Sequence, residues 1–468
     1  MSSLYSFFDR KILFPLAEKF NRSSSIKNYY SLLKTDWYSR EQLLALQNKK
    51  LSDLITHCYN KVPYYKELFD SLHIGPDDIK SKKDLQKIPI LTKQIIRENY
   101  NKIISGDLAN RKVQNHSTGG STGMPLQYLS DMQTWSVGWA SIFRSWHWFG
   151  FSVGEKIFTI GGHSLVSKKR IFTKKNIFEK WLMRNYKYSS SEMKPEDMAR
   201  HYKRFIAFKP VAIRGYASTL YVFAKYIEDN KLPVLPIHAI FTTGEVLLPN
   251  YRSKVQEVFK APIYDSYGAG DGGIATHECY MHEGLHISEE KCILEIIDKN
   301  GEIVEDGTIG NVITTDLDNY AFPFIRYNVG DMSYIKKEYC SCGRKSKLLG
   351  VVMGRSGRLL YSKSGVPISP TMLPVLLYPD LNYDSIENQA LYNKIDKFQI
   401  RQDKNGDLLI LLKVKESRDE SLKLFGFIIE NYTKYFPGSK VELEFVKEIP
   451  PLPSGKEDYI LSDFLYNN

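Results

Sequence analysis

Apolar residues at Leu43, Leu44, Leu46, Leu51, Leu54 and Ile55 recur at helical spacing, which predicts an amphipathic helix. Val62-Pro63-Tyr64-Tyr65 interrupts it before a second helical stretch, because a residue that precedes proline is driven out of the helical region. Pro89 and Leu91-Thr92-Lys93 mark an extended piece, with a new helix near Lys93–Asn99, so residues 1–110 read as mainly helical. A strand is expected at Val113. Between Thr134 and Phe149, Trp135, Trp139, Phe143 and Trp146 fall three or four residues apart. That spacing predicts a helix whose aromatic face packs in a core rather than against a cofactor.

The pattern then changes. Lys156–Ile160, Pro210-Val211-Ala212-Ile213-Arg214-Gly215-Tyr216, His238–Glu245 and Pro262–Gly268 each read as a strand entering a turn of glycine and hydroxyl residues, with a helix at Tyr221–Glu228. Lys168–Lys194 is basic and poorly periodic and reads as a surface excursion. Strands alternating with helices predict an α/β domain with a largely parallel sheet. Ligands in such sheets sit beyond the carboxyl ends of the strands, so these turns point to one crevice. From Cys292 to Ile335 short strands alternate with Asn300-Gly301, Asp306-Gly307 and Gly310, a β-rich subdomain at about 290–350. Past Gly354, Phe398–Arg401 and Leu408–Leu412 flank a hairpin turn, and Leu422–Tyr435 reads as one amphipathic helix. The expected fold is therefore α/β. It has a large N-terminal domain, residues 1–353, with mostly parallel sheets, helices and a β-rich subdomain, and a small mobile C-terminal α/β domain, residues 354–468.

Composition narrows the partners. The 468 residues, 43% apolar and 13% aromatic, suffice for about two to three domains. A net charge of +11 suits an acidic partner such as a nucleotide, CoA, a carrier protein or an anionic membrane face. No helix-turn-helix, zinc-finger array or arginine-rich arm is present, so nucleic acid is not expected. No apolar run reaches about 18 residues, so no transmembrane segment is expected. Asp9, Arg10, Lys11 and Pro15 interrupt any signal-peptide core, and the chain reads as cytoplasmic. Tyr5, Phe7, Phe8, Arg10, Lys11 and Phe14 offer peripheral membrane contact, although packing against the main domain is the preferred reading. The five cysteines, Cys58, Cys279, Cys292, Cys340 and Cys342, are too sparse for a disulfide framework.

The candidate chemistry begins at His116-Ser117-Thr118-Gly119-Gly120-Ser121-Thr122-Gly123-Met124-Pro125. Glycines bring backbone N–H groups close to a ligand and the hydroxyls add donors, as in a nest for phosphate oxygens. The run is neither a Walker A loop nor a dinucleotide fingerprint. Tyr267-Gly268-Ala269-Gly270-Asp271 sets a carboxylate beside a glycine turn, where it suits Mg²⁺ held against phosphate. Arg326-Tyr327-Asn328-Val329-Gly330-Asp331 ends a strand with an acceptor for ribose hydroxyls. Gly354-Arg355-Ser356-Gly357-Arg358 offers guanidinium groups to anions, and Pro453-Ser454-Gly455-Lys456 presents a loop lysine. Cys279, His282, His286, Cys340 and Cys342 form a second constellation with C-x₂-H and C-x-C spacings. Zinc in structural sites takes four such ligands, and the spacing leaves His282 and His286 as alternatives for the fourth.

Together and in this order, these motifs resemble the adenylate-forming (acyl-CoA synthetase/ligase) superfamily, in particular its phenylacetate–CoA ligase-like branch, which includes capsular polysaccharide biosynthesis proteins. Val62-Pro63-Tyr64-Tyr65 and Pro89–Lys93 resemble that branch's N-terminal part. The resemblance implies that Ser117, Thr118, Gly119, Gly120, Ser121, Thr122 and Gly123 handle ATP. It sets Gly244, Glu245, Tyr267 and Gly268 on the adenine side, Asp271 at Mg²⁺, Asp331 at the ribose and Arg355 in the interdomain hinge. Lys456 becomes the lysine that contacts the substrate carboxylate and phosphate. Asp271 stands where the family usually has Glu, and Gly357-Arg358 replaces the acidic pair usual after the hinge arginine. The implied activity joins a carboxylic acid to ATP as an acyl adenylate and passes the acyl group to CoA or another acceptor. An amide-forming ligase acting on an amino sugar or amine, and a nucleotide-binding module with decayed catalysis, are the alternatives. Members of the branch with a similar Cys/His set favour zinc at the second constellation. Tyr216, Ala217, Thr242 and Thr243 are expected near the acid.

Overall fold

The computed structural model describes residues 9–117, 126–161, 165, 184–189, 195–352, 360–363, 367–368, 373, 376–379, 386–392, 394–450 and 459–464. The chain divides into two compact units. The first comprises Met1–Leu247, Val255–Val329 and Ser333–Val352, and the second Leu248–Lys254, Gly330–Met332 and Met353–Asn468.

The first unit opens with helices, among them α1 (Ser25–Thr35) and α2 (Arg40–Lys61). Helix α2 starts where it does because Ser39 and Gln42 satisfy each other's backbone N–H groups in a capping box. Its buried face carries Leu43, Leu51, Leu54, Ile55 and Cys58. It stops at Val62, which is extended (φ −117°) before Pro63.

Strands β1 (Val113–Ser117) and β2 (Gln127–Asp131) form an antiparallel pair. The Asp131 carboxylate then accepts from the amides of Gln133 and Thr134 and so caps α3 (Met132–His147). The aromatic face of α3 meets a five-stranded sheet. Its strands are β3 (Ile157–Gly161), β4 (Asn185–Ser189), β5 (Ala212–Gly215), β6 (Ala239–Thr242) and β7 (Ile263–Tyr264). They run in the order β4-β3-β5-β6-β7, every pair parallel. Helices α4 (Pro195–Phe208) and α5 (Ala217–Asp229) belong to the crossovers. Strand β4 corrects the expectation of a surface excursion at Lys168–Lys194. Asn185–Ser189 joins the sheet because Tyr188 is apolar enough to be buried there and stacks on His201 of α4.

The stretch Pro262–Gly268 is two strands rather than one. After Tyr264 the chain leaves the parallel sheet, and β8 (Ser266–Ala269) joins β9 (Ile274–Glu278), β10 (Leu285–Ile287) and, later, β14 (Leu348–Leu349). Their order is β14-β10-β9-β8, all antiparallel. A third sheet is built from β11 (Cys292–Ile297), β12 (Gly310–Asp316) and β13 (Tyr327–Ser333). In the first unit, every pair of the β3 to β7 sheet is parallel and every pair of the β8, β9, β10 and β14 sheet is antiparallel.

The second unit holds a mixed sheet. After the short pair β15 (Leu360–Tyr361) and β16 (Pro367–Ile368) come β17 (Ile395–Gln402), β18 (Leu408–Val414), β19 (Val441–Phe445) and β20 (Ile460–Ser462), in the order β19-β18-β17-β20. The helix expected at Leu422–Tyr435 is two, α6 (Arg418–Phe425) and α7 (Phe427–Tyr435). The break falls at Gly426, a residue that weakens a helix interior.

The Ser39 cap gives a test of the N-terminal helix. Ser39→Ala removes the hydroxyl acceptor and should lower unfolding free energy by about 1 kcal/mol. Chemical denaturation should show an earlier midpoint with the slope kept.

Candidate functional site

The carboxyl ends of β5, β6 and β7 carry a set of linked polar residues. The Thr242 hydroxyl donates to Asp265 Oδ1 at 2.7 Å, and the Ser266 hydroxyl donates to the Thr242 carbonyl at 2.7 Å. The Asp265 amide donates to Glu278 Oε2 at 2.8 Å. These bonds fix the point where the chain passes from one sheet to the next. Gly244 follows β6 with φ +79°, and a Cβ there would lie 2.9 Å from the Tyr216 ring. Only glycine lets this turn close on the aromatic ring. Glu245 Oε2 accepts from the Ser218 amide at 2.9 Å, at the start of α5, where a carboxylate is favoured by the helix dipole.

Tyr267 and Gly268 lie on β8, opposite Thr276 and Ala275 of β9. Asp271 closes this strand, and its Oδ2 accepts from the Tyr327 hydroxyl at 2.9 Å. Tyr327 is fully buried, so its ring is a rigid mount for that hydroxyl. Burial, and after it the carboxylates of Asp271 and Asp316, push the Tyr128 phenol far above its ordinary value. The His116 ring stacks on Tyr128 with centroids 5.2 Å apart, and its Nε2 lies 2.7 Å from the Ser130 hydroxyl. Burial holds His116 below the usual histidine value, which favours its neutral form. The two glycines after Asp271 let the turn run against β12. Gly273 has φ +71°, and a Cβ there would lie 2.3 Å from the Asp316 carboxylate.

These are the places of the residues singled out in sequence. Gly244 and Glu245 follow β6, Tyr267 and Gly268 lie on β8, and Asp271 follows β8, all in the first unit. Ser117 is the last residue of β1. Asp331 lies on β13, in the Gly330–Met332 stretch of the second unit. Thr118, Gly119, Gly120, Ser121, Thr122, Gly123, Arg355 and Lys456 lie outside the described residues. Tyr327, inside the quoted Arg326–Asp331 motif, was not singled out in sequence, yet its hydroxyl meets Asp271. The Asp271 contact spans 56 residues of sequence, and no local signal announces it.

The Cys/His constellation is resolved further. Cys279, His286, Cys340 and Cys342 are all buried, and their ligand atoms lie within 4.8 Å of one another. Cys279 Sγ is 3.5 Å from Cys340 Sγ, and Cys342 Sγ is 3.4 Å from His286 Nε2. Tetrahedral zinc with sulfur ligands implies ligand separations of about 3.8 Å, so the donor set suits that ion. Cys279 follows β9, His286 lies on β10, and both other cysteines stand in the loop before β14. The pairing of these three strands brings them together. Ser346 Oγ lies 2.8 Å from His286 Nδ1 and orients the ring so that Nε2 faces the sulfurs. Burial raises the Cys342 thiol, but bonds from His286 and Arg344 outweigh it and hold the thiol below its ordinary value. His282 is outside the cluster. Its Nδ1 lies 3.0 Å from Glu278 Oε1 and its ring stacks on Tyr264, so of the two alternatives for the fourth ligand it is His286 that stands with the three cysteines.

No family model matches the chain. It is similar to Protein CapK of Staphylococcus aureus, 24% identical over 455 residues that cover 95% of this chain and 94% of that one. It is also similar to the phenylacetate-coenzyme A ligase of Thermus thermophilus, 25% identical over 360 residues, 72% of this chain and 76% of that one. Among solved structures it resembles 2-hydroxyisobutyryl-CoA ligase in the postadenylation state with R3-HIB-AMP. The TM-score there is 0.73 at 17% identity, with 92% of this chain and 91% of that one covered. The fold is therefore the one seen in acyl-CoA ligases of the adenylate-forming superfamily, and the curated relatives include phenylacetate-CoA ligases and CapK.

The turn after Asp271 can be tested through stability. Gly273→Ala forces a strained φ and a clash with Asp316, and should cost at least about 2 kcal/mol. Gly301→Ala, with φ +87° but only Ile90 at 3.6 Å, should cost less in the same thermal-denaturation measurement.

Proposed function

We propose that this chain activates a carboxylic acid as its acyl adenylate with ATP and transfers the acyl group to CoA. The observation that carries the reading is the Gly244-Glu245 turn after β6 and the β8 stretch from Tyr267 to Asp271, set in a fold shared with acyl-CoA ligases. The curated phenylacetate-CoA ligases support the reaction class.

The chemistry accounts for the residue types. A carboxylate oxygen attacks the α-phosphorus of ATP and pyrophosphate leaves. The CoA thiolate then attacks the acyl carbon and AMP leaves. Two anions meet in the first step, so fixed donors and cations must offset their repulsion. We assign the phosphate oxygens to Ser117 through Gly123, the adenine side to Gly244, Glu245, Tyr267 and Gly268, and the ribose to Asp331. Asp271 would hold Mg²⁺, which neutralises phosphate charge when bound. The Tyr327 hydroxyl steadies this carboxylate, which is one methylene shorter than the glutamate usual in the family. Arg355 belongs to the proposed hinge of a mobile C-terminal domain. Lys456 would bridge the carboxylate and the α-phosphate.

We assign Cys279, His286, Cys340 and Cys342 to a structural zinc ion. Two hairpin loops and a strand meet there, and the ion would tie them. No helix among the described residues is long and apolar enough to cross a membrane. The free cysteines suit the cytoplasm, where thiols stay reduced.

The lysine separates the two half-reactions. Lys456→Ala should lower pyrophosphate exchange by on the order of 10²–10³, while transfer from a chemically supplied acyl adenylate to CoA continues. Both steps surviving intact would remove Lys456 from the mechanism. Transfer to an amine, with CoA inert, would move the assignment to the amide-forming alternative.

The metal assignment makes a separate prediction. Protein purified without chelators or metal-affinity steps should carry about one zinc per chain by elemental analysis. Cys340→Ser/Cys342→Ser and His286→Ala should lose it, and His282→Ala should keep it.

A further inference from the structure

Arg214 is the next-to-last residue of β5, the middle strand of the parallel sheet. In register it stands beside Phe241 of β6, on the face that α3 covers. Its guanidinium lies 5.7 Å from the Trp139 ring centroid and 5.6 Å from that of Trp146. No carboxylate among the described residues makes an ion pair with it. Burial lowers its pKa to about 10, with only the neighbouring Tyr216 acting in the other direction.

The other deeply placed arginines of the first unit differ. Arg144 is 2.7 Å from Glu290, Arg326 is 3.1 Å from Glu295, and Arg344 reaches Asp36 and the Cys342 sulfur. The two aromatic faces attract the cation but supply no opposite charge. Arg214 is half-buried, and part of its surface stays open to a partner. It precedes Gly215 and Tyr216 at the strand end, the side of a parallel sheet where ligands enter.

We propose that Arg214 is the counter-ion for a second anionic group on the acid substrate, a carboxylate, phosphate or sulfonate remote from the carboxylate that reacts. The inference rests on the adenylating reading and deepens it by naming the substrate class as dianionic acids. The guanidinium fork pairs such groups through two parallel N–H donors. An acid without the second charge leaves the cation as it stands in the free protein.

The test compares matched acids by pyrophosphate exchange: 4-carboxyphenylacetate against phenylacetate, glutarate against pentanoate, and adipate against hexanoate. The wild type should favour the dianionic member of at least one pair by tenfold or more in kcat/KM. Arg214→Met, which fills the space between the tryptophans, should bring that ratio near one through the KM for the acid. The KM for ATP should not move. Arg214→Lys, charged but unforked, should fall between them, and supplies the comparison if the Met variant does not fold.

Preference for the singly charged member in every pair would overturn the proposal, as would a ratio that survives Arg214→Met. Equal loss for both members would mean that Arg214 holds the reacting carboxylate. A rise in KM for ATP would mean that it holds nucleotide phosphate. No exchange with any acid would count against the adenylating reading itself. The anion site would then stand or fall on whether the dianionic acids raise the wild-type melting temperature more than their partners do, and whether Arg214→Met abolishes the difference.

Discussion

Helix α3 is buried between two sheets, and much of the first unit follows from that constraint. One face must be apolar and the other must find partners for every polar group it carries. Trp146 stacks on Phe241 of the parallel sheet with centroids 5.2 Å apart. On the antiparallel side, Ser141 meets His277 and Ser288, and Thr134 donates to Asp316. Arg144 is the most demanding member. It pairs with Glu290 at 2.7 Å, donates to Ser288 and lies 3.6 Å from Asp36. Removing one side of such a buried pair commonly costs about 3–5 kcal/mol, so α1, α3 and the turn before β11 are locked to one arrangement.

The same lock reaches both functional regions. Asp36, at the end of α1, accepts from the Trp148 indole and lies 3.8 Å from Arg344. Arg344 stacks on Trp148 at 4.1 Å and points a donor at Cys342. The Cys/His cluster thus rests on the far end of α3. Toward the other end, Asp131 caps the helix, and Asp316 joins Thr134 to Lys291. Asp316 is also the group against which the Gly273 turn closes. The strand-end turns and the cysteine loops are therefore mounted on one rigid element, which suits a site whose donors must be preorganised.

Arg214 lies on the aromatic side of this helix. Arg144 of α3 and Lys291 beside it are buried against opposite charges, whereas the Arg214 cation meets tryptophan faces. Local inconsistency of this kind is where a protein spends stability on function.

Much of the fold was legible in the sequence because it follows from periodicity and backbone chemistry. The long N-terminal helix, the aromatic helix, four of the five parallel strands and the C-terminal hairpin all announce themselves by spacing. Proline and the Ser39 capping box mark ends that only local sterics decide. The tertiary structure decided what depends on contacts between distant segments. His282 and His286 have equally plausible spacing from Cys279, but pairing of β10 with β9 and β14 turns only His286 toward the sulfurs, while Glu278 engages His282. Strand β4 lies in a stretch with no clear period, and parallel pairing with β3 recruited it. Tyr327 meets Asp271 because two sheets converge, and among the described residues no carboxylate forms an ion pair with Arg214, which meets two tryptophan rings instead. A chain specifies its own local geometry. Which side chain faces which partner is settled only when burial forces every charge and donor to account for its neighbours.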